Sequence, residues 1–314
     1  MASKYSTHFI LFMVVAALGL SSAGWAQTYS FRTVDMPGSA ITGTFANNNK
    51  GQVVGRYDSA ELCCVPGGFL LSQGAFKSVA PPGALWTIAA GVNNHTQIVG
   101  SFGDSAGKQH GFLLTGNHYK TLDVPGAVST YALNVNDSGT VVGGYYDGTR
   151  NRGFSYSGGT YSTVDFPGAA GSFANTINNS GQIVGEYSLT DPNVSSGRQG
   201  YLFSGNNFQT VDFPGALETE ALGINNSAEI VGDYFDAAGV QHGFLLSSGV
   251  YSTVDFPGAS DSTCETINDT GQIIGIYNGP DSVSAYRGFL ATLLSGHNAG
   301  AQSGPKTRGA VSQK

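Results

Sequence analysis

Residues 219–259 read TEALGINNSAEIVGDYFDAAGVQHGFLLSSGVYSTVDFPGA, and this pattern recurs along the chain. Its Pro-Gly dipeptide returns six times, at spacings of 45, 43, 42, 47 and 43 residues. A period in the low forties is typical of propeller arrays rather than of leucine-rich or tetratricopeptide solenoids. The glycines of these dipeptides are Gly38, Gly83, Gly126, Gly168, Gly215 and Gly258.

Each repeat contains two segments of fixed length and one that varies. The glycine of the I/V-V-G segment always follows the Pro-Gly glycine by 17 residues, as Gly232 follows Gly215. The glycine before the next aromatic residue, Gly243 in this copy, always precedes the following Pro-Gly glycine by 15 residues. The connection between these segments takes steps of 13, 11, 10, 15, 11 and 13. Strands that must stay in register need a fixed length, whereas a surface loop tolerates a free one.

The fixed segments predict four short strands per repeat, joined in sequence as an antiparallel meander. Large aromatic residues recur at two sheet positions, where each ring could bury about 150–250 Å2 in the wedge between neighbouring blades. In residues 219–259 the predicted strands are Thr219–Ile224, Glu229–Tyr234, Gly243–Leu246 and Tyr251–Val254.

The two ends of the array are complementary. The chain enters the pattern at residues 29–35, which supply a fourth strand only, and leaves it after residues 287–290, a third strand without a fourth. A ring closes when the first strand completes the last unit, and no inner edge is then exposed. We therefore predict an all-β fold: a single six-bladed β-propeller over residues 28–294, with four antiparallel strands per blade, closed by pairing of the N-terminal strand with the C-terminal blade.

The combination G-I-N-N-S-G-Q-I-V-G, an aromatic residue, H-G-F-L and V-D-F-P-G-A resembles the bacterial extracellular HAF-repeat family, which is named after a His-Ala-Phe triplet. Here the triplet has Gly in its middle, at residues 110–112 and 242–244. The resemblance implies a secreted, propeller-like repeat protein and no established chemistry. In the other copies the His is replaced by Gly67, Arg152, Gln199 or Arg287.

Both chain ends lie outside the repeats. Residues 1–26 combine Lys4, an apolar core over residues 9–20 and a small-x-small triplet at 24–26, which is the form of a secretory signal. We predict cleavage after Ala26, with Ala23 as the alternative; the core is too short to span a bilayer. Residues 295–314 contain no aromatic residue, so we predict a flexible tail. The expected location is secreted or periplasmic, without membrane insertion.

The composition excludes several classes of protein. With 46 Gly, 18 Phe, 15 Tyr and only 11% charged residues, the chain is neither a disordered polymer nor a helical bundle. A net charge of -7 offers no basic surface to nucleic acid or to an anionic membrane. The calcium loop and the H-E-x-x-H motif are missing from the sequence, so we predict no metal and no cofactor.

Two recurring polar positions are predicted to be structural. The Asp of V-D-x-P-G can accept backbone N–H bonds and organise the Pro-Gly turn. The Asn that fills the same turn position in every repeat tolerates left-handed backbone angles and bonds its own chain two residues on. These residues are Asp35, Asp123, Asp165, Asp212 and Asp255, and Asn48, Asn93, Asn136, Asn178, Asn225 and Asn268.

Three cysteines in an exported chain leave at least one unpaired unless chains are joined. Cys264 occupies a column of small residues on a predicted inner strand, which favours a buried thiol. Cys63 or Cys64 could reach Cys264 across the closure and staple the ring, adding roughly 3–4 kcal/mol of stability. A bond between Cys63 and Cys64, or free thiols throughout, are the alternatives.

The variable loops are the predicted binding elements. In a four-stranded meander they emerge at the same end as the Pro-Gly connections, so all of them surround one mouth of the channel. A ring of polar and aromatic side chains there would suit a sugar or a peptide. The candidate binding residues are Asp58, His110, Tyr146, Arg150, Arg152, Asp191, Arg198, Asp236, His242, Tyr286 and Arg287.

These observations leave three functional hypotheses. The first is a non-catalytic, monomeric secreted protein that binds a glycan, a cell-surface component or a protein. The second is an extracellular polysaccharide hydrolase or lyase that uses carboxylates such as Asp58, Asp147 or Asp236. A carboxyl pair about 5–10 Å apart in one cleft would favour this enzyme, and the acids that depart from the repeat are Glu218, Glu220 and Glu265. The third is a purely structural envelope or matrix protein.

Overall fold

The computed structural model describes residues 28–59, 66–279 and 286–294. Within them the chain forms 24 β-strands arranged in six four-stranded antiparallel sheets. The predicted all-β, six-bladed propeller is therefore confirmed. The predicted signal over residues 1–26, the predicted tail over 295–314, and Cys63 and Cys64 lie outside the described residues.

The first five blades are consecutive meanders. Blade 1 consists of β2 (Ser39–Asn47), β3 (Val53–Ser59), β4 (Pro66–Ser72) and β5 (Ala75–Val79). Blade 2 consists of β6 (Trp86–Val92), β7 (Ile98–Gly103), β8 (Gln109–Thr115) and β9 (His118–Leu122). Blade 3 consists of β10 (Ser129–Val135), β11 (Val141–Tyr146), β12 (Asn151–Ser157) and β13 (Thr160–Thr163).

The remaining blades repeat the same order, except that the last one takes its outer strand from the start of the chain. Blade 4 consists of β14 (Gly171–Ile177), β15 (Ile183–Ser188), β16 (Arg198–Ser204) and β17 (Asn207–Val211). Blade 5 consists of β18 (Glu218–Ile224), β19 (Ile230–Phe235), β20 (Gln241–Ser247) and β21 (Val250–Thr253). Blade 6 consists of β22 (Asp261–Ile267), β23 (Ile273–Asn278), β24 (Tyr286–Leu293) and β1 (Tyr29–Val34).

The strands predicted in residues 219–259 all form, with shifted ends. β19 begins at Ile230 rather than Glu229, because the Glu229 carbonyl accepts the Asn225 N–H and belongs to the turn. β20 begins two residues early, at Gln241, because Gln241 pairs with Phe235 of β19. The pairing of β18 with β19 also contains a register shift between Ala221 and Gly223 that the pattern did not predict.

The ring closes as predicted. β1 pairs antiparallel with β24, from Tyr29 opposite Leu293 to Val34 opposite Gly288. The Phe31 ring of β1 lies 5.8 Å from the Phe289 ring between centroids. The first strand thus completes both the ladder and the core of the last blade.

The hydrophobic core is divided among the six seams between blades. At the seam of blades 4 and 5, Val184 packs with Ala221 and Phe244. The Phe of V-D-F-P-G also stacks on the recurring aromatic residue of the next blade. The ring centroids of Phe213 and Tyr234 are 3.6 Å apart. The predicted role of the aromatic columns as interblade filling is therefore correct.

Candidate functional site

One end of the propeller carries the variable connections of the described residues, and we call it the loop face. The Leu217 N–H donates to the Phe235 carbonyl at 2.8 Å, which ties the Pro-Gly connection of blade 5 to the end of β19 where the variable loop begins. The same bond joins Leu85 to Gly103 and Val128 to Tyr146. The opposite end, the Asn-turn face, carries the turns that follow each inner strand.

The loop face exposes most of the large apolar side chains that reach solvent. Of nine such side chains in the described residues, six lie on this face. Leu217 and Leu85 are the most exposed of them, at 65% and 61%. These six side chains come from the loops and strand ends of several blades. The six are Leu85, Val128, Leu189, Leu217, Val240 and Tyr286.

His110 and His242, two of the predicted site residues, are each held between two carboxylates of their own blade. His110 Nδ1 lies 2.9 Å from Asp123 and Nε2 lies 3.2 Å from Asp104. His242 Nδ1 lies 2.7 Å from Asp255 Oδ2, with Asp236 3.6 Å from Nε2. These imidazoles connect the variable loop to the end of the outer strand within one blade, so they are not free groups at a shared centre.

The loop aspartates bind their own loops as well. Asp104 accepts the N–H groups of Ala106 and Lys108, and the Lys108 bond is the main cause that lowers the pKa of Asp104, followed by the hydrogen bond with His110. In blade 5 the Val240 N–H is the main cause that lowers the pKa of Asp236. Both carboxylates stay ionised and act as loop caps.

Blade 3 uses arginine in the same position. Arg150 and Arg152 both contact Asp165 Oδ2, at 2.9 and 3.0 Å. Arg152 Nε also donates to Asp147 at 2.5 Å. The hydrogen bond from the Thr149 hydroxyl, and then the one from Arg152, hold the pKa of Asp147 far below its usual range. These four side chains form a closed charge network inside one blade.

Arg198 is the predicted site residue that reaches another blade. Its Nε donates to Glu218 Oε2 at 2.9 Å, and its Nη1 forms an ion pair with Glu220. Its guanidinium also lies over the Phe235 ring, 5.4 Å from the centroid. Arg198 therefore joins blade 4 to the inner strand of blade 5 at the channel side.

The other predicted residues do not form a common site with these groups. Asp191 accepts bonds from Ser195, whose hydroxyl is the main cause that lowers the pKa of Asp191 to about 2. Asp58 and Tyr146 are half-buried at strand ends, while Tyr286 and Arg287 are exposed at the start of β24. The structure thus places the predicted residues on one face but divides them among separate blades.

A buried acid cluster lies beside Arg198, and sequence analysis singled out only part of it. Glu220 lies close enough to Glu186 of the neighbouring blade for the two carboxyls to affect each other, and Asp233 is paired opposite Glu220 in the sheet. Asp233 is 1% exposed and accepts a bond from Gln241. Glu265 of β22 lies close enough to Asp233 and Glu220 for their charges to affect it.

The ionisation of this acid cluster is strongly perturbed. Burial, which disfavours the charged carboxylate, raises the pKa of Glu186 to about 7. Burial, and then the charges of Asp233 and Glu220, raise the pKa of Glu265 to about 8. The pKa values of Glu220 and Asp233 lie well above their usual range for the same main reason. The environment therefore disfavours the ionised form of these carboxyls.

The acid cluster does not provide the open carboxyl pair expected of a glycoside hydrolase. Glu220 is only 9% exposed and is paired with Arg198. A hydrolase needs its two carboxyls on either side of a bound glycosidic bond, about 5–10 Å apart. Glu220 is therefore not one of two free carboxyls that face an open cleft.

The Asn residues at the opposite face form the predicted turns and also a ring that was not predicted. Asn178 Oδ1 accepts the N–H groups of Ser180 and Gln182, which is the expected turn chemistry. Its Nδ2 donates to the Asn225 carbonyl of the next blade at 3.1 Å. The same bond recurs around the whole ring and closes from Asn268 to the Asn48 carbonyl.

A second ring surrounds the first. The side chain at the following turn position accepts the backbone N–H of the preceding blade, as Asn226 Oδ1 does from Asn179. Asp137 and Asp269 occupy this position three blades apart, and each accepts Nδ2–H bonds from both neighbours. These polar groups bond one another, so the Asn-turn face is closed by its own hydrogen bonds.

The Asp of V-D-x-P-G takes two structural roles: Asp212 accepts a bond from the Thr219 hydroxyl that holds the Pro-Gly turn, while other copies bond the outer strands. Asp165 and Asp255 each accept an N–H bond from the glycine before the aromatic residue, at Gly153 and Gly243. The Pro-Gly turn is held by a hydroxyl at the start of the next inner strand: Thr219 Oγ1 accepts the Phe213 N–H at 3.0 Å. The Asp is structural in each of these copies.

Cys264 is a free cysteine with 0% exposure. Its Sγ lies 3.5 Å from the Val254 carbonyl, and a Cβ at Gly243 would lie 2.6 Å from the sulfur. The thiol therefore faces blade 5, whereas Cys63 and Cys64 belong to blade 1 and lie outside the described residues. The disulfide with Cys264 stays a prediction.

The sequence predicts no bound metal ion and no membrane insertion. Within residues 28–59, 66–279 and 286–294, no group of three or more His, Cys, Asp and Glu side chains is arranged to hold a metal ion. In the same part of the chain, no helix has the length and apolar character of a membrane span.

Comparison with known proteins supports the fold. No family model matches the sequence, and no curated protein matches it. AofleA from Arthrobotrys oligospora is similar in structure, with a TM-score of 0.51, 11% identity, and coverage of 83% of this chain and 86% of that one. A fucose-specific lectin from Aleuria aurantia has a TM-score of 0.47, 10% identity, and coverage of 85% of this chain and 100% of that one.

Proposed function

We propose that this protein is a secreted, non-catalytic β-propeller that binds a glycan through its loop face. The observation that carries the proposal is the contrast between the two faces. The Asn-turn face directs its polar groups to one another, whereas the loop face leaves apolar side chains such as Leu217 and Tyr286 in solvent. Apolar side chains that are exposed and not packed within the fold can contact a ligand.

The side chains of the loop face suit a carbohydrate. The C–H faces of a sugar pack on aromatic rings, and Trp86, Tyr146 and Phe235 are half-buried there with part of each side chain accessible. Sugar hydroxyls bond to carboxylate and guanidinium groups, and Arg198, which is paired with Glu218, lies over the Phe235 ring. Apolar walls with a few fixed polar groups are the usual composition of a ligand site.

Other observations support secretion and binding over hydrolysis. The pattern of residues 1–26 and the resemblance to HAF repeats both fit an exported protein. Of the acids that break the repeat pattern, Glu220 is buried and paired with Arg198 rather than placed in an open cleft.

A glycan array followed by titration calorimetry tests the proposal. The purified protein should bind at least one class of glycan saturably and release no product from it. The double variant Leu217→Ser/Tyr286→Ala should lose about tenfold or more in affinity, which corresponds to about 1.4 kcal/mol. Both side chains are exposed, so the fold should be unaffected.

Val250→Ser is the matched control, because Val250 is an equally exposed apolar residue, at 63%, on the Asn-turn face. Its affinity should equal that of the unmodified protein. Turnover of a polysaccharide, the absence of any retained glycan, or equal losses in Val250→Ser and the double variant would each refute the proposed function.

A further inference from the structure

The channel contains a cavity of about 240 Å3 between the loop face and the Asn turns. Its walls are mainly apolar and include Phe45, Ile88, Leu133 and Leu222. An engineered apolar cavity of roughly 150 Å3 holds a benzene molecule, so this one has room for a six-membered ring with a short substituent. The cavity lies inside the ring of blades, away from the exposed groups of the loop face.

Glu265 is the charged side chain that lines this cavity. Within the described residues its carboxyl makes no hydrogen bond or ion pair with the protein. Three other polar side chains of the wall bond to the protein: Asn175 donates to the Ala221 carbonyl, Thr176 to the Leu222 carbonyl and Thr266 to Asn47 Oδ1. The cavity therefore presents one unpaired carboxyl in a mainly apolar wall.

The surroundings of Glu265 contain more acid than base. Glu220 of β18 and Asp233 of β19 face it, and Asp233 Oδ1 is a buried oxygen without a hydrogen-bond partner. Arg198, the nearby cation, is bound to Glu218 and Glu220. Of the other strands packed on β22, β20 contributes His242, which is held by Asp255; β2 and β23 contribute no acidic or basic side chain.

We propose that this channel cavity binds a small organic cation, with a protonated amine against the Glu265 carboxylate and an apolar body against Ile88, Leu133 and Leu222. The unpaired carboxyl supplies the counter-charge, and the acid beside it makes an anionic ligand unfavourable. The apolar wall selects a hydrocarbon body over a bare metal ion, which would need several oxygen ligands. This site does not depend on glycan binding at the loop face.

Binding of a cation at Glu265 should release a proton from its carboxyl. Burial and the neighbouring acids keep Glu265 protonated below about pH 8 when the cavity is empty. An ammonium group binds the carboxylate, so each binding event at lower pH releases the Glu265 proton to solvent while the amine keeps its own. The apparent affinity should therefore rise about tenfold per pH unit as the pH approaches the pKa from below, and level off above it.

Titration calorimetry with benzylammonium, and with benzyl alcohol as the neutral counterpart of the same shape, tests this site. The purified protein should bind benzylammonium at least about tenfold more tightly than benzyl alcohol. Repeating the titration at about pH 6.5 in buffers of different ionisation enthalpy should show release of about one proton. These two readouts need no variant, so they hold whether or not a substitution perturbs folding.

Glu265→Gln should lose at least about tenfold in affinity for benzylammonium, together with the proton release. Glu229→Gln is the matched control, because it removes an acid from blade 5 and Gln fills the same turn position in Gln52, Gln97, Gln182 and Gln272. Its binding should be unchanged. Failure to bind benzylammonium, equal binding of benzyl alcohol, or unchanged binding and proton release in Glu265→Gln would overturn the proposal.

Discussion

The glycine of each I/V-V-G segment occupies a place where the sheet leaves no room for a side chain. A Cβ at Gly185 would lie 2.0 Å from the Phe173 carbonyl oxygen on the paired strand. The equivalent contacts in the other five blades measure 1.8–2.0 Å. This backbone contact explains why the spacing of these glycines was such a reliable guide to the strands.

Replacing Gly185 by Ala should therefore destabilise the protein by about 3 kcal/mol or more, because the new methyl group forces the backbone of β14 and β15 apart. Denaturant unfolding followed by circular dichroism measures this loss. Gly205→Ala is the control: Gly205 has a φ of +57° but open space around its Cβ, so only backbone strain of about 1 kcal/mol is expected. Equal losses in the two variants would contradict the steric explanation.

The acid cluster shows what single residues of the sequence could and could not predict. Glu220 and Glu265 were noticed because they depart from their repeat columns. Glu186 and Asp233 were missed, although they occupy one shared column, the position after the I/V-V-G glycine. The signal was present, but its meaning depends on that column meeting the inner strand of the next blade, which only the packing of blades reveals.

Each Asn turn is both a local element and a link between blades. Asn178 fixes its own turn through two backbone N–H groups and then donates to the Asn225 carbonyl of the next blade. The turn chemistry could be predicted from Asn alone because it involves neighbours in the chain. The interblade bond could not, because its acceptor is 47 residues away.

Asn178→Ala should cost about 2–4 kcal/mol in unfolding free energy, since it removes several hydrogen bonds and leaves the buried Asn225 carbonyl without this donor. Asn179→Ala is the comparison within the same turn: that side chain is exposed, and its loss should cost about 1 kcal/mol or less. Urea denaturation of both variants gives the two values. A larger loss for Asn179→Ala would show that the inner ring does not join the blades as described.

The charge networks of the loop face also form within single blades. In blades 2, 3 and 5 a side chain at the start of the third strand contacts the Asp that follows the fourth strand of the same blade. The pairs are His110 with Asp123, Arg152 with Asp165 and His242 with Asp255. The spacing of 13 residues is the same each time. This regularity was available in the sequence, and it would have assigned these side chains to separate blades rather than to one shared mouth.

At the scale of the whole molecule, the repeat spacing and the incomplete ends predicted the architecture. Six apolar clusters lie at the six seams, including the seam of blades 6 and 1, where Val53 and Phe69 pack on Ile274. The fold was predictable because the repeats share the same four-strand pattern, with segments of fixed length. The acid cluster and channel cavity were not, because they arise where single repeats depart from the pattern.

Closure of the ring by β1 places the variable loops around one mouth, and a cysteine pair tests it directly. Ser30 of β1 is opposite Thr292 of β24, and the equivalent residue of Thr292 in blade 5 is Ser247. Side chains directly opposite in an antiparallel sheet are about 4.5–5.5 Å apart at Cβ, close enough for a disulfide after small adjustment.

The decisive measurement is mild oxidation of Ser30→Cys/Thr292→Cys, with Ser30→Cys/Ser247→Cys as the control, followed by peptide mapping by mass spectrometry of the monomer. The closed ring predicts an intramolecular link between positions 30 and 292 and none between 30 and 247. No link in the first variant, or a link that appears only between two chains, would contradict a propeller whose first strand completes its own last blade.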